Sequence, residues 1–359
     1  VLPAIIDPAV GGGVFILAMA SELVSRSQGG GGMTRERAVS SIAGVDVDPA
    51  RVAAAKAASW LYALAGRDPA GPASARIYLG DSLLQSPEWW LSGPGACGSF
   101  DILVANPPYI RQELIGSERK AALARAYPGF AGRCDIYVYF FALAANLLKE
   151  GGVAAIVCPV SWLDVEYGRR VKEFVLERFD ITDIIASCDT RWFPGASVNT
   201  QIVVMRKNGG GRCGTRFQVV VSGASDMRLS VECSTTVDLR HLDPSRKWGV
   251  YLRAPRPYFA LMDSTRGRLC PLGELASVHF GVKTGANEFF YLRDVSDTAA
   301  GKGFIESLNG KPAGPARGCR SNGILAVRPS CGPDSRRLFA FESLCIKPVV
   351  KSLRNVPGY

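Results

Sequence analysis

Short apolar runs alternate with amphipathic segments along roughly the first 200 residues of the chain. Seven apolar runs are short and rich in β-branched residues, which predicts strands. They read VLPAII, SIAGVDVD, ARIYLGD, FDILVAN, GVAAIVCP, DITDIIAS and VNTQIVVMRK. Helical patterns separate most of them, so the fold class that the pattern predicts is α/β, with a doubly wound, mostly parallel sheet.

Local signals mark the ends of several predicted elements. Asp48 is a suitable N-cap, Pro49 suits the first helical turn, and the alanine-rich run that follows ends at Gly66. The polar, glycine-rich SRSQGGGGMTRER predicts a surface loop. KNGGGRCGTR predicts a linker, and the sequence beyond it shows short strand-like runs without an α/β rhythm. We therefore predict one domain over residues 1–206 and a second over residues 207–359.

The two predicted domains differ in charge. Residues 1–206 carry 19 Lys+Arg and 20 Asp+Glu, whereas residues 207–359 carry 23 and 12. A basic region joined to a nearly neutral one indicates a polyanionic partner, nucleic acid first, although a high arginine content without any partner stays open. The 10 cysteines form no CxxC pair and there are 2 histidines, which favours reduced thiols in the cytoplasm over a zinc site. No apolar run approaches the roughly 20 residues of a membrane span.

Three predicted strands end in groups that suit a ligand site, because ligands of open α/β sheets lie beyond the carboxyl ends of the strands. DPAVGGG places Asp7 at the first strand end, with Gly11 and Gly13 allowing a tight turn and close approach of the backbone. Asp46 ends the second strand and Asp81 follows the third. The spacing of the glycines matches neither the dinucleotide fingerprint nor the P-loop.

The fourth predicted strand runs into Asn-Pro-Pro-Tyr, from Asn106 to Tyr109. Proline lacks a backbone N–H and fixes φ, so the strand must stop here. Taken alone, the tetrapeptide is equally compatible with an ordinary turn. Its position at a strand end, where a ligand would lie, favours a functional role.

Together, DPAVGGG, GVDVDP, GDSLL and NPPY resemble the S-adenosylmethionine-dependent, adenine-specific DNA methyltransferases of restriction–modification systems, the TaqI-like gamma group. In that family the glycine motif precedes Asn-Pro-Pro-Tyr and a DNA-recognition domain follows. The resemblance covers residues 1–206 and resumes at RKWGVYLRAPRPYFALMD and VHFGVKTGANEFFYL. Val10 and Gly12 replace the family's usual Cys and Ser without removing a backbone donor. The resemblance implies a class I methyltransferase fold, Rossmann-like, followed by part of a mixed α+β recognition domain.

The resemblance also implies S-adenosyl-L-methionine as the cofactor and double-stranded DNA as the partner. The implied cofactor-binding residues are Asp7, Gly11 and Gly13 at the methionine end, Asp46 at the ribose, and Asp81 and Ser82 at the adenine. In the implied chemistry, Asn106 Oδ1 and the Pro107 carbonyl accept hydrogen bonds from the target amino group, whose lone pair then turns toward the sulfonium methyl. Tyr109 and Phe193 are implied to stack on the flipped base. No metal is needed.

Several alternatives stay open at this point. Methylation of cytosine N4 or of an RNA base is chemically equivalent, and protein-glutamine methyltransferases use the same tetrapeptide. A protein of another class, a catalytically inactive DNA-binding specificity protein, is a further alternative. The resemblance favours a cytoplasmic monomer, with an attached or separate restriction endonuclease left open. Because the chain starts directly on the first strand, we expect a cofactor-closing segment to be missing. Because KPVVKSLRNVPGY stops soon after the recognition-like region begins, we expect that region to be truncated.

Overall fold

A mixed β-sheet forms the centre of the computed structural model of this chain. The structure describes residues 2–27, 32–65, 75–85, 98–130, 134–187, 199–208, 214–222, 229–265 and 268–269, and short strands beyond residue 275. The strands of the central sheet are β1 Ile5–Asp7, β2 Ile42–Asp46, β3 Arg76–Leu79, β4 Phe100–Ala105, β5 Leu148–Pro159, β6 Phe179–Ser187, β7 Thr200–Lys207, β8 Thr215–Ser222 and β9 Leu229–Val237. The described helices are α1 Val14–Ser27, α2 Arg35–Ser40, α3 Pro49–Leu64, α4 Ser117–Ala126, α5 Ile136–Leu147, α6 Gly168–Arg178, α7 Val250–Arg253 and α8 Arg256–Ser264.

The strand order of the sheet is β3-β2-β1-β4-β5-β7-β6-β8-β9. Neighbouring strands from β3 to β5 are parallel, whereas β7 runs antiparallel to both β5 and β6. Strands β2 and β3 are therefore added on one side of β1, and β4 and β5 are added on the other side. This arrangement confirms the predicted α/β class and the mostly parallel sheet.

Capping explains two helix starts, one predicted and one not. The Asp48 side chain accepts a hydrogen bond from Ala50 N at 2.8 Å, and α3 begins at Pro49 as predicted. The surface loop predicted through SRSQGGGGMTRER is wrong at its end, because α2 begins at Arg35. Thr34 supplies its N-cap by accepting from Arg37 N at 3.3 Å. The glycines before Thr34 dominated the composition and hid this short helix.

The sheet continues past residue 206. Strand β8 pairs in parallel with β6, and β9 pairs antiparallel with β8, so the glycine-rich KNGGGRCGTR joins strands of one sheet. The compact unit that contains this sheet extends from Val1 to Phe259. Connections between strands and linkers between domains share the same composition, so the pattern alone did not separate them. The division of cofactor and DNA binding at residue 206 stays a prediction.

The residues that follow β9 are anchored by Trp248, which is fully buried. Its backbone N–H donates to the Leu163 carbonyl at 3.0 Å, and its ring packs edge-on against Trp162 at 5.9 Å between centroids. The buried Lys172 donates to the Arg246 carbonyl at 2.7 Å and lies 5.3 Å from the centre of the Trp248 ring. A carbonyl and an aromatic face together compensate the burial of this ammonium group.

The second compact unit comprises residues Ala260–Tyr359. Its described strands form small antiparallel groups, which are Ala276–Val278 with Val350–Leu353, Leu292–Asp294 with Phe304–Ser307 and Pro312–Pro315, and Arg320–Ser321 with Ile324–Leu325. Among the described residues, no helix has the length and apolarity to cross a membrane, and no His, Cys, Asp and Glu side chains cluster as metal ligands would.

The burial of Trp248 predicts that the residues after β9 stabilise the sheet. Replacing Trp248 with Ala should lower the free energy of unfolding by about 3–5 kcal/mol, because a large buried side chain is lost and a cavity remains. Denaturant unfolding of the intact chain measures this. Val231→Thr is the matched control, since Val231 lies on β9 with 54% of its surface exposed and keeps its branched shape. A loss below about 1 kcal/mol for Trp248→Ala would show that this segment does not support the sheet.

Candidate active site at the carboxyl edge of the sheet

Three of the predicted site residues lie at one edge of the sheet. Asp7 ends β1, Asp46 ends β2 and Asn106 follows the last residue of β4. Strand β1 pairs in parallel with both β2 and β4, so the three carboxyl ends are neighbours. The fold therefore brings together residues that are about 100 positions apart in sequence.

The glycine turn after β1 combines a tight bend with a close helix contact. Gly11 and Gly13 have φ of +52° and +87°, in the left-handed region that other residues rarely adopt. A Cβ on Gly13 would lie 3.1 Å from Ala55 Cα, so the turn packs directly on α3. By contrast, a Cβ on Gly12 would meet no described heavy atom within 4 Å. One side of the turn is thus held by the protein, and Gly12 leaves space for a ligand to approach.

Asp46 links the ends of β1 and β2 through its carboxylate. Oδ2 accepts from Gly11 N at 2.9 Å and Oδ1 accepts from Asp48 N at 3.0 Å. A carboxylate has about four acceptor positions, so each oxygen keeps one for a ligand hydroxyl. The next residue, Val47, is 62% exposed and offers apolar surface beside this acid. Val47 was not among the predicted site residues, although an apolar residue between two acids after a strand end can indicate a ligand-binding surface.

Asp7 is an acid almost withdrawn from solvent, with 2% of its surface exposed. Its Oδ1 accepts from Ala9 N at 3.0 Å. Burial raises the pKa of Asp7 to about 7, and the nearby charge of Asp46 adds to this effect, while the Ala9 hydrogen bond opposes it. The Asp7 carboxyl group therefore changes between its protonated and ionised forms near neutral pH. A cation placed beside it would favour the ionised form.

Asp81 and Ser82 both contact other parts of the protein. The buried Ser82 hydroxyl donates to the Pro8 carbonyl at 2.8 Å, which ties the turn after β3 to the turn after β1. Asp81 Oδ1 accepts from Leu83 N at 3.0 Å, and its Oδ2 lies 2.8 Å from an Arg119 guanidinium nitrogen on α4. Ser82 thus holds the scaffold of the site, and Arg119, which sequence reasoning missed, covers the acceptor expected for an adenine.

The tetrapeptide after β4 forms a half-buried group of its own. Pro107 is buried, and the Tyr109 hydroxyl donates to Asn106 Oδ1 at 2.7 Å. Burial, and to a lesser degree the nearby Cys158, raises the pKa of Tyr109 far above its usual value. The phenol therefore stays protonated and acts as a donor. Phe193, the second predicted stacking residue, lies outside the described residues.

Asp135 fixes the chain that leaves the tetrapeptide. Its Oδ1 accepts from Gln112 N at 2.9 Å, and its Oδ2 accepts from the Tyr167 hydroxyl at 3.0 Å. The neighbouring Ile136 N donates to the Ile110 carbonyl at 3.0 Å. Sequence reasoning did not single out Asp135, because an acid before a helix is ordinarily a cap. Here its side chain bonds to residues outside its own helix.

Polar side chains are also buried at the end of β5, beside the tetrapeptide. Gln201 Nε2 lies 4.0 Å from Cys158 Sγ, and burial raises the pKa of this thiol to about 12. Within the described part of the chain, Gln201 Oε1 is buried without a hydrogen-bond partner. The thiol stays neutral, so this group adds polarity but no charge to the floor of the site.

Comparison with known proteins gives the same family as the sequence motifs. The family model described as Eco57I restriction-modification methylase matches residues 40–193. The Type II methyltransferase M.PaeR7I of Pseudomonas aeruginosa is 27% identical over 298 residues, which cover 80% of this chain and 51% of that protein. M.XamI of Xanthomonas campestris pv. amaranthicola is 26% identical over 197 residues, which cover 53% of this chain and 35% of that protein. The chain thus spans about half the length, or less, of these relatives.

A solved structure supports the fold independently. A chain from a study of complex assembly and conformational transition in a type I R-M system has a TM-score of 0.51 and 15% identity. The match covers 76% of this chain and 61% of that chain. At this identity the match shows the fold alone. The family model and the relatives agree with the resemblance drawn from the motifs, and this chain is similar to the DNA methyltransferases of restriction–modification systems.

Proposed function

We propose that this chain transfers a methyl group from S-adenosyl-L-methionine to the exocyclic amino group of a base flipped out of double-stranded DNA, with adenine N6 as the first candidate. The observation that carries this proposal is the placement of Asn-Pro-Pro-Tyr at the same sheet edge as Asp7 and Asp46. Two hydrogen-bond acceptors that suit an amino group, Asn106 Oδ1 and the Pro107 carbonyl, would then lie near two acids. Asp46 suits the ribose of a nucleoside, and Asp7 suits an ammonium group. The relatives described above support the same reaction.

The residues at the ends of β1 and β2 fit the proposed cofactor. Gly12 borders open space, Asp46 keeps acceptor positions for ribose hydroxyls, and Asp7 can ionise beside the ammonium of the methionine end. When bound, the cofactor supplies an electrophilic methyl group on a sulfonium. What the chain contributes is orientation, since the turn between β1 and α1 is held by its contact with Ala55 and by the hydrogen bond from Gly11 N to Asp46.

The residues after β4 suit the activation of an amine. An exocyclic amino group is a poor nucleophile because its lone pair is delocalised into the ring. Two acceptors, Asn106 Oδ1 and the Pro107 carbonyl, would hold both N–H groups and turn the lone pair out of the ring plane. Preplaced dipoles of this kind need little reorganisation during the reaction. The Tyr109 ring would stack on the base, which cannot be reached inside the duplex.

DNA is the proposed partner, with most of the affinity assigned to residues 207–359. Their surplus of 23 Lys+Arg over 12 Asp+Glu favours phosphate contacts, which carry affinity but no sequence information. Methylation of cytosine N4 would use the same acceptors, so analysis of the modified base decides between the two products. Measurement of cofactor binding separates an enzyme from an inactive DNA-binding protein.

In a complete protein, replacing Asn106 with Ala should reduce methyl transfer to mixed-sequence DNA to below about a tenth of the wild-type rate, because one acceptor for the amine is lost. The affinity for the cofactor should stay within a few-fold, since Asn106 faces the amine. Transfer of labelled methyl groups and calorimetry measure the two effects. Asn146→Ala is the control, because Asn146 is exposed on α5. Retention of most of the activity by Asn106→Ala would contradict the proposed role.

Replacing Asp7 with Asn should remove a pH dependence of cofactor binding. In the wild type, Asp7 ionises as the pH rises through about 7, and the ionised form attracts the ammonium group. The rise in Tm caused by the cofactor should therefore be larger at about pH 8 than at about pH 5.5. The variant, neutral at both values, should show a smaller rise with no such difference. Equal behaviour of the two proteins would place the ammonium elsewhere.

The same Asp7 pKa also affects the protein without cofactor. A raised pKa in the folded state means that this acid stabilises the fold below its unfolded value near 3.8, and that this contribution is lost as the pH rises through about 7. The free energy of unfolding of Asp7→Asn should consequently fall less between these pH values than that of the wild type. This measurement tests the burial of Asp7 independently of any ligand.

A further inference from the structure

The acceptor proposed for the target amine is already engaged within the chain. The Tyr109 hydroxyl donates to Asn106 Oδ1 at 2.7 Å, the usual length of an O–H···O hydrogen bond. Both side chains are half-buried. The oxygen that should receive an N–H from the base therefore receives an O–H from the protein.

The local sequence leaves this task to Tyr109. Pro107 and Pro108 have no backbone N–H, so the residues between Asn106 and Tyr109 cannot donate to the amide oxygen. Among the three residues that follow Asn106, Tyr109 is thus the first whose backbone or side chain can donate to this oxygen. Tyr109 stays protonated because burial raises its pKa, and it can always supply the missing hydrogen.

The backbone around Tyr109 has little freedom to break this contact. Asn106 directly follows β4, and on the other side the Ile110 carbonyl is bonded to Ile136 N and Gln112 N to Asp135. Release of Asn106 Oδ1 therefore needs rotation of a side chain, for which Tyr109 is the candidate, and no movement of the loop. Side-chain rotation is fast compared with movement of loops and domains.

The chemistry of the proposed reaction favours such a release. As the amine attacks a methyl group it gains positive charge, and its hydrogen bond to Asn106 Oδ1 becomes stronger. A second donor on the same oxygen would withdraw electron density from it. An oxygen freed from Tyr109 is thus the better partner for the transition state.

We propose that the Tyr109 hydroxyl is a placeholder for the target amino group and determines which bases can enter, a role that rests on the proposed function. A base with an exocyclic amine at this position replaces the O–H by an N–H. A base with a carbonyl at this position, such as hypoxanthine, would place its oxygen against Asn106 Oδ1. Both atoms are hydrogen-bond acceptors, so the base cannot replace the Tyr109 hydroxyl as a donor. Tyr109 thus contributes a contact that selects for the amine, in addition to stacking.

The test compares two proteins on two DNA duplexes. Methylation by the wild type first locates the target, and duplexes are then made with adenine or with purine, which lacks the amine, at that position. Tyr109→Phe keeps the ring but removes the hydroxyl. We expect it to bind the adenine duplex about threefold to tenfold more tightly, as loss of one competing neutral hydrogen bond allows. Affinity for the purine duplex should not change, because purine displaces nothing.

Two further variants complete the experiment. Tyr62→Phe is the matched control: this half-buried tyrosine on α3 contacts Arg35 and not Asn106, and its loss of a hydroxyl should change neither affinity. Tyr109→Trp also lacks the phenol and repeats the test should the first variant fold poorly. Weaker or unchanged binding of adenine by the Tyr109 variants, or equal changes on both duplexes, would overturn the proposal. Absence of methylation by a complete wild-type protein, which includes the cofactor-closing segment expected from the family, would instead refute the proposed function, and with it this role of Tyr109.

Discussion

The parallel pairing of β1 with β2 on one side and β4 on the other is the constraint on which the site depends. It aligns Ile6 with Ala43 and with Leu103, so the ends of the three strands reach the same edge. Asp7, Asp46 and the Asn-Pro-Pro-Tyr tetrapeptide lie directly at these ends, and Asp81 and Ser82 follow β3, which pairs in parallel with β2. A shift of register by one residue would turn the strand side chains to the opposite faces of the sheet. The buried, apolar strands prevent such a shift.

The polar groups at this edge are held mainly by one another. Asp46 bonds to the glycine turn, Ser82 bonds to Pro8, Arg119 pairs with Asp81, and Tyr109 bonds to Asn106. Two of these contacts are structural, since they connect the turns after different strands. The other two occupy acceptors that the proposed ligands would use. A site built in this way is ordered before its ligands bind, and ligand binding becomes an exchange of hydrogen bonds. Such an exchange loses little conformational entropy.

The residues after β9 contribute to the same edge from a distance in sequence. Trp248 packs on Trp162, in the turn that directly follows β5, and Asp164 in that region accepts from Gly249 N at 3.1 Å and pairs with Arg253 at 2.7 Å. A Cβ on Gly249 would crowd the ends of the Asp164 and Arg253 side chains, which would have to move to accept a larger residue. The chain that leads toward the basic C-terminal residues is thus fastened beside the proposed target pocket.

The sequence by itself determined the parts of this protein that local chemistry dictates. The period of the apolar runs indicated strands and helices, Asp48 and Pro49 marked a helix start, and the two prolines after Asn106 ended a strand. These signals act within a few residues, and the structure confirms the resulting α/β class. The motifs also sufficed for the resemblance that the comparisons confirmed. The roles of individual site residues are still predictions.

Only the tertiary structure decided which of these residues meet and what they contact. The partners of Asp135, Lys172 and Trp248 lie far away in sequence or outside their own helix, so no local pattern could indicate them. The addition of β8 and β9 to the sheet was hidden for a similar reason, because an edge strand depends on a neighbour with an unpaired backbone. The poised pKa of Asp7 has the same origin. It results from the burial of one carboxyl group by the surrounding chain, and burial is a property of the packed fold.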